Sequence, residues 1–323
     1  MDQTNKSLLG YGTYLIKNQN IETWVQLLET AYLAKYDYID TAKLYQNETE
    51  IGHALEVLKA KYGLNFNFKI QTKIWPKNYP KARQAVLDSL KKLKVKQLDS
   101  VLLHWPSPDF AQDLLAWEAL IQLQKEGYIK SIGVSNYPAN MLSFFSAVTN
   151  HSPKFNQIQY SLYNQKYNLA DFEALKIHLQ AWRPLTDSIP DLSNDQVLVK
   201  IAKELQTDPT AIAISFVKSQ NLDVIVKSVN LQRIEKNAQA YHQIDLNQSQ
   251  IVKLKAIKRQ NKNFVFWKPF NQPLNDQTIS RLKKRMLILN KRNNSIFYWF
   301  YYPIYYALIV FYASLERVKS FFN

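Results

Sequence analysis

From residue 36 to about residue 260, short apolar runs alternate with longer stretches whose apolar positions recur at helical spacing. The short runs fall at 36–40, 68–74, 98–104, 129–135, 155–161, 178–183 and 223–228, with a weaker one near 241–246. Each reads as a strand. The amphipathic stretches at 47–60, 80–94, 111–126, 138–148, 209–220 and 247–258 read as helices between them. Parallel strands need a crossover connection, so repeated βα units of this spacing predict a parallel sheet. Eight such units can close into a (β/α)8 barrel, although the periodicity by itself also admits an open, doubly wound sheet.

Polar residues punctuate the ends of these runs. Asp40 closes YDYID, Lys73 lies in FKIQTKIWP and His104 in DSVLLHWP. Tyr45 follows Asp40 by five residues. In a barrel, active sites form where strands end and loops begin. Asp40, Lys73 and His104 are expected at the ends of the first three strands, with Tyr45 in the first βα loop. A phenol, an amine, a carboxylate and an imidazole that meet at one point suit carbonyl reduction. The phenol gives a proton to the carbonyl oxygen, and the amine is expected to lower its pKa from near 10. The carboxylate keeps the amine charged, and the imidazole orients the carbonyl. Taken singly, each has a plainer reading: Tyr45 as a core tyrosine, Lys73 as a strand-end surface lysine, His104 as a satisfied core histidine. A lysine buried after an apolar run needs a paired carboxylate, for which Asp40 is the natural candidate.

The phrases that hold these residues resemble the aldo-keto reductase family. They are IDTAKLYQNETEIGHAL (39–55), TKIWP (72–76), LLHWP (102–106), IGVSN (132–136) and NQIQY (156–160), in the family's order. The resemblance covers roughly residues 8–260. It implies a (β/α)8 TIM barrel and the catalytic set Asp40, Tyr45, Lys73 and His104. It also implies a nicotinamide cofactor lying extended across the barrel mouth. Ser135, Asn136 and Gln157 would meet the carboxamide, and Trp182 would stack on the nicotinamide ring. Gly12 and Thr13 would line the first loop, and Asp40 would approach the ribose. Lys227, Ser228 and Arg233 match the family's 2′-phosphate pattern, and Asn237 its adenine-side asparagine. That pattern favours NADPH over NADH, since two cations and a hydroxyl suit a dianionic phosphate. Three positions depart from the family. Val226 stands in place of a proline, Arg183 in place of a small residue, and Lys236 where Glu or Gln is usual. Tyr14, Trp75 and Trp105 are candidates for an aromatic substrate wall. Some barrels of this family act as cofactor-sensing regulatory subunits, so that reading stands beside the enzymatic one.

Composition narrows the alternatives. There are only 6 glycines and no GxGxxG, so a Rossmann site is not the cofactor route. The absence of cysteine excludes disulfides and zinc-thiolate sites. No metal-ligand spacing is present, and no metal is expected. No signal peptide opens the chain, so a cytoplasmic location is expected. The net charge of +15 is uneven. Residues 1–252 carry 27 basic against 24 acidic side chains, whereas 253–292 carry 12 against 1. A nearly neutral barrel argues against nucleic acid as a partner, and the family resemblance implies a small carbonyl compound in its place.

The chain therefore divides into a barrel (1–262), a basic segment (263–292) and an apolar aromatic tail (293–323). Residues 293–315 carry no charge, and as a helix the 21 residues from Ser295 to Leu315 would span roughly 32 Å, about a bilayer core. Pro303 and a tyrosine-rich face make the run equally suited to a membrane surface or to packing on protein. Both readings stay open on the sequence.

Overall fold

The computed structural model describes residues 7–186, 189–257 and 274–292. Eight strands pair in parallel in chain order: β1 (Leu9–Gly12), β2 (Tyr38–Asp40), β3 (Lys69–Ile74), β4 (Leu98–Leu103), β5 (Ile129–Ser135), β6 (Phe155–Gln159), β7 (His178–Trp182) and β8 (Asp223–Val226). β1 pairs with both β2 and β8, which closes the barrel and excludes the open sheet. The helices are α1 (Ile21–Leu33), α2 (Glu48–Tyr62), α3 (Ala82–Leu93), α4 (Phe110–Lys125), α5 (Ala139–Thr149), α6 (Leu169–Ala174), α7 (Ile189–Asn194), α8 (Gln196–Glu204), α9 (Pro209–Ser219), α10 (Leu231–Gln243), α11 (Gln248–Lys255) and α12 (Asp276–Arg292).

The closing strand is not at 241–246. Tyr241–Gln243 are the last turn of α10, and the eighth strand is Leu9–Gly12. Two of its four residues are glycines, so it presents little side-chain signal. One of them is required by packing: a Cβ on Gly10 would lie 2.8 Å from the Tyr38 ring. With this strand counted, Asp40, Lys73 and His104 belong to the ends of β2, β3 and β4 rather than of the first three strands. Tyr45 lies in the second βα loop.

The local reasons for the helices are ordinary ones. In α1 the buried residues Trp24, Leu27, Leu28 and Ala31 form one stripe, and the Asn20 side chain accepts from Thr23 N to cap the start. Asp109, Asp208 and Asn230 cap α4, α9 and α10 in the same way, each worth about 1 kcal/mol. α11 begins with a reciprocal capping box between Asn247 and Gln250.

Outside the barrel, α12 lies against α4 and α5. It buries Thr278, Met286 and Leu289 and leaves Arg281, Lys283 and Lys284 exposed. Arg285 Nε meets Asp109 Oδ2 at 3.0 Å, tying α12 to the start of α4. Among the described residues no helix is long and apolar enough to cross a membrane. The 295–315 run and most of 263–275 lie outside the described residues.

Candidate active site

The strand period turns alternate residues into the barrel. On β3 this sends Gln71 and Lys73 inward, while Thr72 points out and donates to Glu48 of α2 at 2.7 Å. Lys73 is fully buried. Its Nζ donates to Asp40 Oδ2 at 2.7 Å and to the Thr41 carbonyl at 3.0 Å, and it lies 3.4 Å from the Tyr45 hydroxyl. Burial pulls the Lys73 pKa down, and the Asp40 carboxylate opposes it.

Tyr45 departs from the expectation of a lowered pKa. Burial first, then the Asp40 charge and Tyr14, raise the phenol well above its usual value, and Arg183 pulls the other way. The phenol is therefore protonated at neutral pH, as a proton donor must be. His104 stands across from it, ring centroids 5.7 Å apart and nearly perpendicular. Burial, then the Lys73 charge, push the imidazole pKa well below 6.5, so His104 is neutral. Its Nδ1 has no hydrogen-bond partner among the described residues. An unpaired lone pair is cheaper to bury than an unpaired N–H, which favours the tautomer with its proton on Nε2.

The structure brings all four predicted catalytic residues together. The aromatic candidates divide. Trp75 packs edge-on to His104 at 5.0 Å, and Tyr14 lies 5.1 Å from the Tyr45 ring. Tyr14 is 43 % exposed, at the rim. Trp105 is half-buried, and its carbonyl accepts from the hydroxyls of Tyr79 and Tyr137. Tyr137 also donates to Asp113, which accepts from Ser107 N at 2.9 Å and from the Ser107 hydroxyl. Asp113 thus ties the loop after His104 to the loop after Asn136. Burial raises its pKa to about 7.

The candidate cofactor residues fall in two groups on the same rim. Ser135, Asn136, Gln157 and Trp182 cluster at the ends of β5, β6 and β7. Asn136, at φ +69°, donates to the His104 carbonyl at 3.1 Å and accepts from the Trp182 indole at 2.9 Å. Asn favours this left-handed conformation more than most residues. Ser135 Oγ donates to the Gln157 carbonyl at 2.9 Å. Gln157 turns its Nε2 inward to Asp40 at 2.9 Å, leaving Oε1 to accept. Thr13 is buried and donates to the Asp40 carbonyl through both N and Oγ1, and Gly12 lies beside Ile225 and Lys227. Arg183, at φ +53°, lies over the Trp182 ring at 5.4 Å.

The second group surrounds the start of α10. Lys227 and Arg233 are exposed, and Ser228 and Asn237 are buried beside them. Among the described residues neither Lys227 nor Arg233 has an ion-pair partner. A helix start with two unpaired cations and a hydroxyl fits a phosphate, and the inner group offers donors and an acceptor that fit an amide. The donor set therefore fits a nicotinamide dinucleotide.

Sequence reasoning missed Gln71 and Gln180, which also lie on this site. Gln71 Nε2 donates to Asp40 Oδ1 at 2.8 Å and to Gln180 Oε1 at 2.8 Å. The signal was the two-residue spacing of Gln71 and Lys73, which puts both on one face of a strand.

Comparison with known proteins places the barrel in a family. The model of the Aldo/keto reductase family matches residues 8–259. The methylglyoxal reductase DkgA of Escherichia coli K12 is 36 % identical over 231 residues, covering 71 % of this chain and 82 % of the relative. The glyoxal reductase of Bacillus subtilis is 28 % identical over 256 residues, 78 % of this chain and 89 % of the relative. Among solved structures, an aldo/keto reductase from Brucella melitensis superposes with a TM-score of 0.69 at 30 % identity, covering 76 % and 93 % of the two chains. The Bombyx mori aldo-keto reductase in complex with NADP superposes with a TM-score of 0.68 at 26 % identity, covering 77 % and 88 %. Aldo-keto reductases use NAD(P)H and act on carbonyl or CH–OH groups. A closed eight-stranded barrel, the family match over residues 8–259 and reductase relatives at 36 % and 28 % identity make this chain a member of the aldo/keto reductase family, an oxidoreductase of carbonyl compounds.

Proposed function

We propose that the chain reduces a small aldehyde or ketone to an alcohol with NADPH, reversibly, with Tyr45 as the general acid. The observation that carries this reading is the buried Lys73 ammonium, which spans the Asp40 carboxylate and the Tyr45 hydroxyl. When bound, the reduced nicotinamide supplies hydride to the carbonyl carbon. The carbonyl oxygen is held between the Tyr45 hydroxyl and the neutral His104 imidazole. Tyr45 O–H gives its proton to that oxygen, and the tyrosinate left behind faces the Lys73 ammonium. A cation there is worth more than in water, because the barrel excludes solvent. Asp40 keeps the ammonium charged and in place. Tyr14 and Trp75, which pack against Tyr45 and His104, supply the apolar wall.

The printed names of the DkgA and Bacillus relatives make methylglyoxal and glyoxal the first substrates to assay. Oxidation of NADPH with a panel of small carbonyl compounds tests the reading. NADPH binding without turnover on any of them would favour the regulatory-subunit alternative.

The preference for NADPH rests on Lys227, Ser228 and Arg233 at the start of α10. Lys227→Ala and Arg233→Ala are each expected to weaken NADPH binding about 10-fold or more, the scale of one lost charged hydrogen bond, and NADH binding little. Fluorescence titration with both cofactors checks this. Equal losses for the two would mean that these residues serve the fold.

The C-terminal end is read as an attachment to an anionic membrane surface. The exposed cations of α12 and the uncharged aromatic sequence after it support this reading, with about 1 kcal/mol per basic side chain near anionic headgroups. α12 belongs with the barrel through Met286 and Leu289, so the informative truncation falls after Arg292. That variant is expected to keep reductase activity and to lose sedimentation with phosphatidylserine vesicles. Failure of the full chain to sediment would overturn the membrane reading.

A further inference from the structure

The inside of this barrel is unusually polar below the catalytic residues. Branched apolar side chains ordinarily fill such an interior. Here Asp40 rests on a hydrogen-bonded column that runs down the barrel axis. Its Oδ2 takes the Lys73 ammonium, and its Oδ1 takes Nε2 of both Gln71 and Gln157, at 2.8 and 2.9 Å. The second hydrogens of those two amides go to one acceptor, Gln180 Oε1, at 2.8 and 3.2 Å. Gln71 Oε1 is closed by the Ser100 hydroxyl at 2.8 Å. Gln180 turns its own Nε2 down to Asp223 Oδ2 at 3.1 Å. Asp223 is completely buried at the start of β8. Its Oδ1 accepts from Leu8 N at 2.8 Å and pairs with His178 Nε2 at 2.7 Å, and its Oδ2 takes the Tyr38 hydroxyl at 3.4 Å.

The direction of every amide follows from the two carboxylates. An anion accepts and never donates. Asp223 therefore obliges Gln180 to present N–H downward, so its oxygen faces up. That oxygen obliges Gln71 and Gln157 to present N–H inward, where Asp40 needs donors. Reversing any one amide would put two oxygens face to face in a dry interior, at a cost of several hydrogen bonds. Gln157 is left with its oxygen as the free end.

We propose that Gln71, Gln180 and Asp223 are positioning residues for the reaction: the carboxylate at the barrel floor orients Gln180, Gln180 orients Gln71 and Gln157, and together these hold Asp40 with one oxygen turned to Lys73. This rests on the reading of Asp40, Lys73 and Tyr45 as the catalytic group. Among the described residues the column's hydrogen bonds reach Tyr45 through Asp40 and Lys73. Its titratable and charged neighbours are Lys73, Tyr45 and Tyr38, and those around Asp223 are His178, Tyr38, Asp37 and Tyr241.

Two substitutions at Gln180 separate orientation from packing. Gln180→Met keeps the length and apolar bulk and removes both the acceptor and the donor. It is expected to lower kcat about 10-fold or more, the scale seen when a partner that orients a metal ligand is lost, with the KM of the carbonyl changed little. Gln180→Glu restores the pattern only while the introduced carboxyl is protonated, since its O–H can then replace the amide donor to Asp223. Burial and the facing carboxylate raise the pKa of that group towards neutrality. The variant is expected to approach parental kcat at about pH 5 and to lose it as pH rises through 7, a limb that the parent lacks. Tyr45→Phe serves as the control. Loss of turnover in that variant with unchanged kcat and pH profile in both Gln180 variants would overturn the proposal and leave the catalytic reading intact. Full turnover in the control would overturn the catalytic reading itself. If Gln180→Met does not fold, the pH profile of Gln180→Glu decides alone.

Discussion

Tyr45→Phe is expected to lower kcat for carbonyl reduction by at least about 100-fold and to leave NADPH affinity within about twofold. The substitution removes one oxygen. The ring keeps its contacts with Tyr14 and His104, so the pocket retains its shape. What disappears is the positioned acid, and a positioned acid is worth about 100- to 10,000-fold. The phenol's raised pKa strengthens the expectation: in the parent the group is fully protonated at neutral pH, so its whole population is competent to donate. Single-turnover measurements of NADPH oxidation would separate the chemical step from cofactor release. Turnover near the parental rate would show that the proton comes from elsewhere.

Lys73→Met is expected to do more than stop the reaction. It leaves Asp40 as a buried carboxylate without its cation. Breaking a buried ion pair from one side costs about 3–5 kcal/mol. In a barrel of this size that corresponds to a fall of roughly 10 °C in the thermal midpoint. Asp40 would relieve part of the penalty by taking up a proton, so the variant should be more stable in mild acid than at pH 8. The sign follows from a folded-state carboxyl pKa raised above its unfolded value: the folded protein then binds the extra proton, and stability falls as pH rises. Adding Asp40→Asn should restore most of the lost stability and none of the activity. A double variant no more stable than Lys73→Met would mean that the two side chains are not coupled.

Much of the fold was legible because parallel strands buried on both faces read as unbroken apolar runs. All seven strands from β2 to β8 fall within two residues of where those runs lie. β1 escaped because LGYG offers two side chains in four residues, and its role is set by partners at 37–40 and 223–226 that no local pattern announces. α1 was legible in principle, through Asn20 and the spacing of Trp24, Leu27, Leu28 and Ala31. At the site, the residues quoted within familiar phrases all converge on the rim. Gln71 and Gln180 belong to no such phrase. Inside apolar runs they look like blemishes, and their meaning depends on side chains up to 109 residues away that meet only once the barrel closes.

The polar column also bears on how this molecule reaches its native state. A barrel with an apolar interior can in principle be assembled from halves that are each oily and partly content. Here the first four strands carry Asp40, Gln71, Lys73 and Ser100, and the last four carry Gln157, Gln180 and Asp223. Each half alone would bury amides and carboxylates whose partners reside in the other. Half-closed species are therefore penalised at their centre as well as at their open edges, and the cheapest path joins the halves in one concerted event. The interior that holds Asp40 in place thus also couples the two halves of the barrel as it closes.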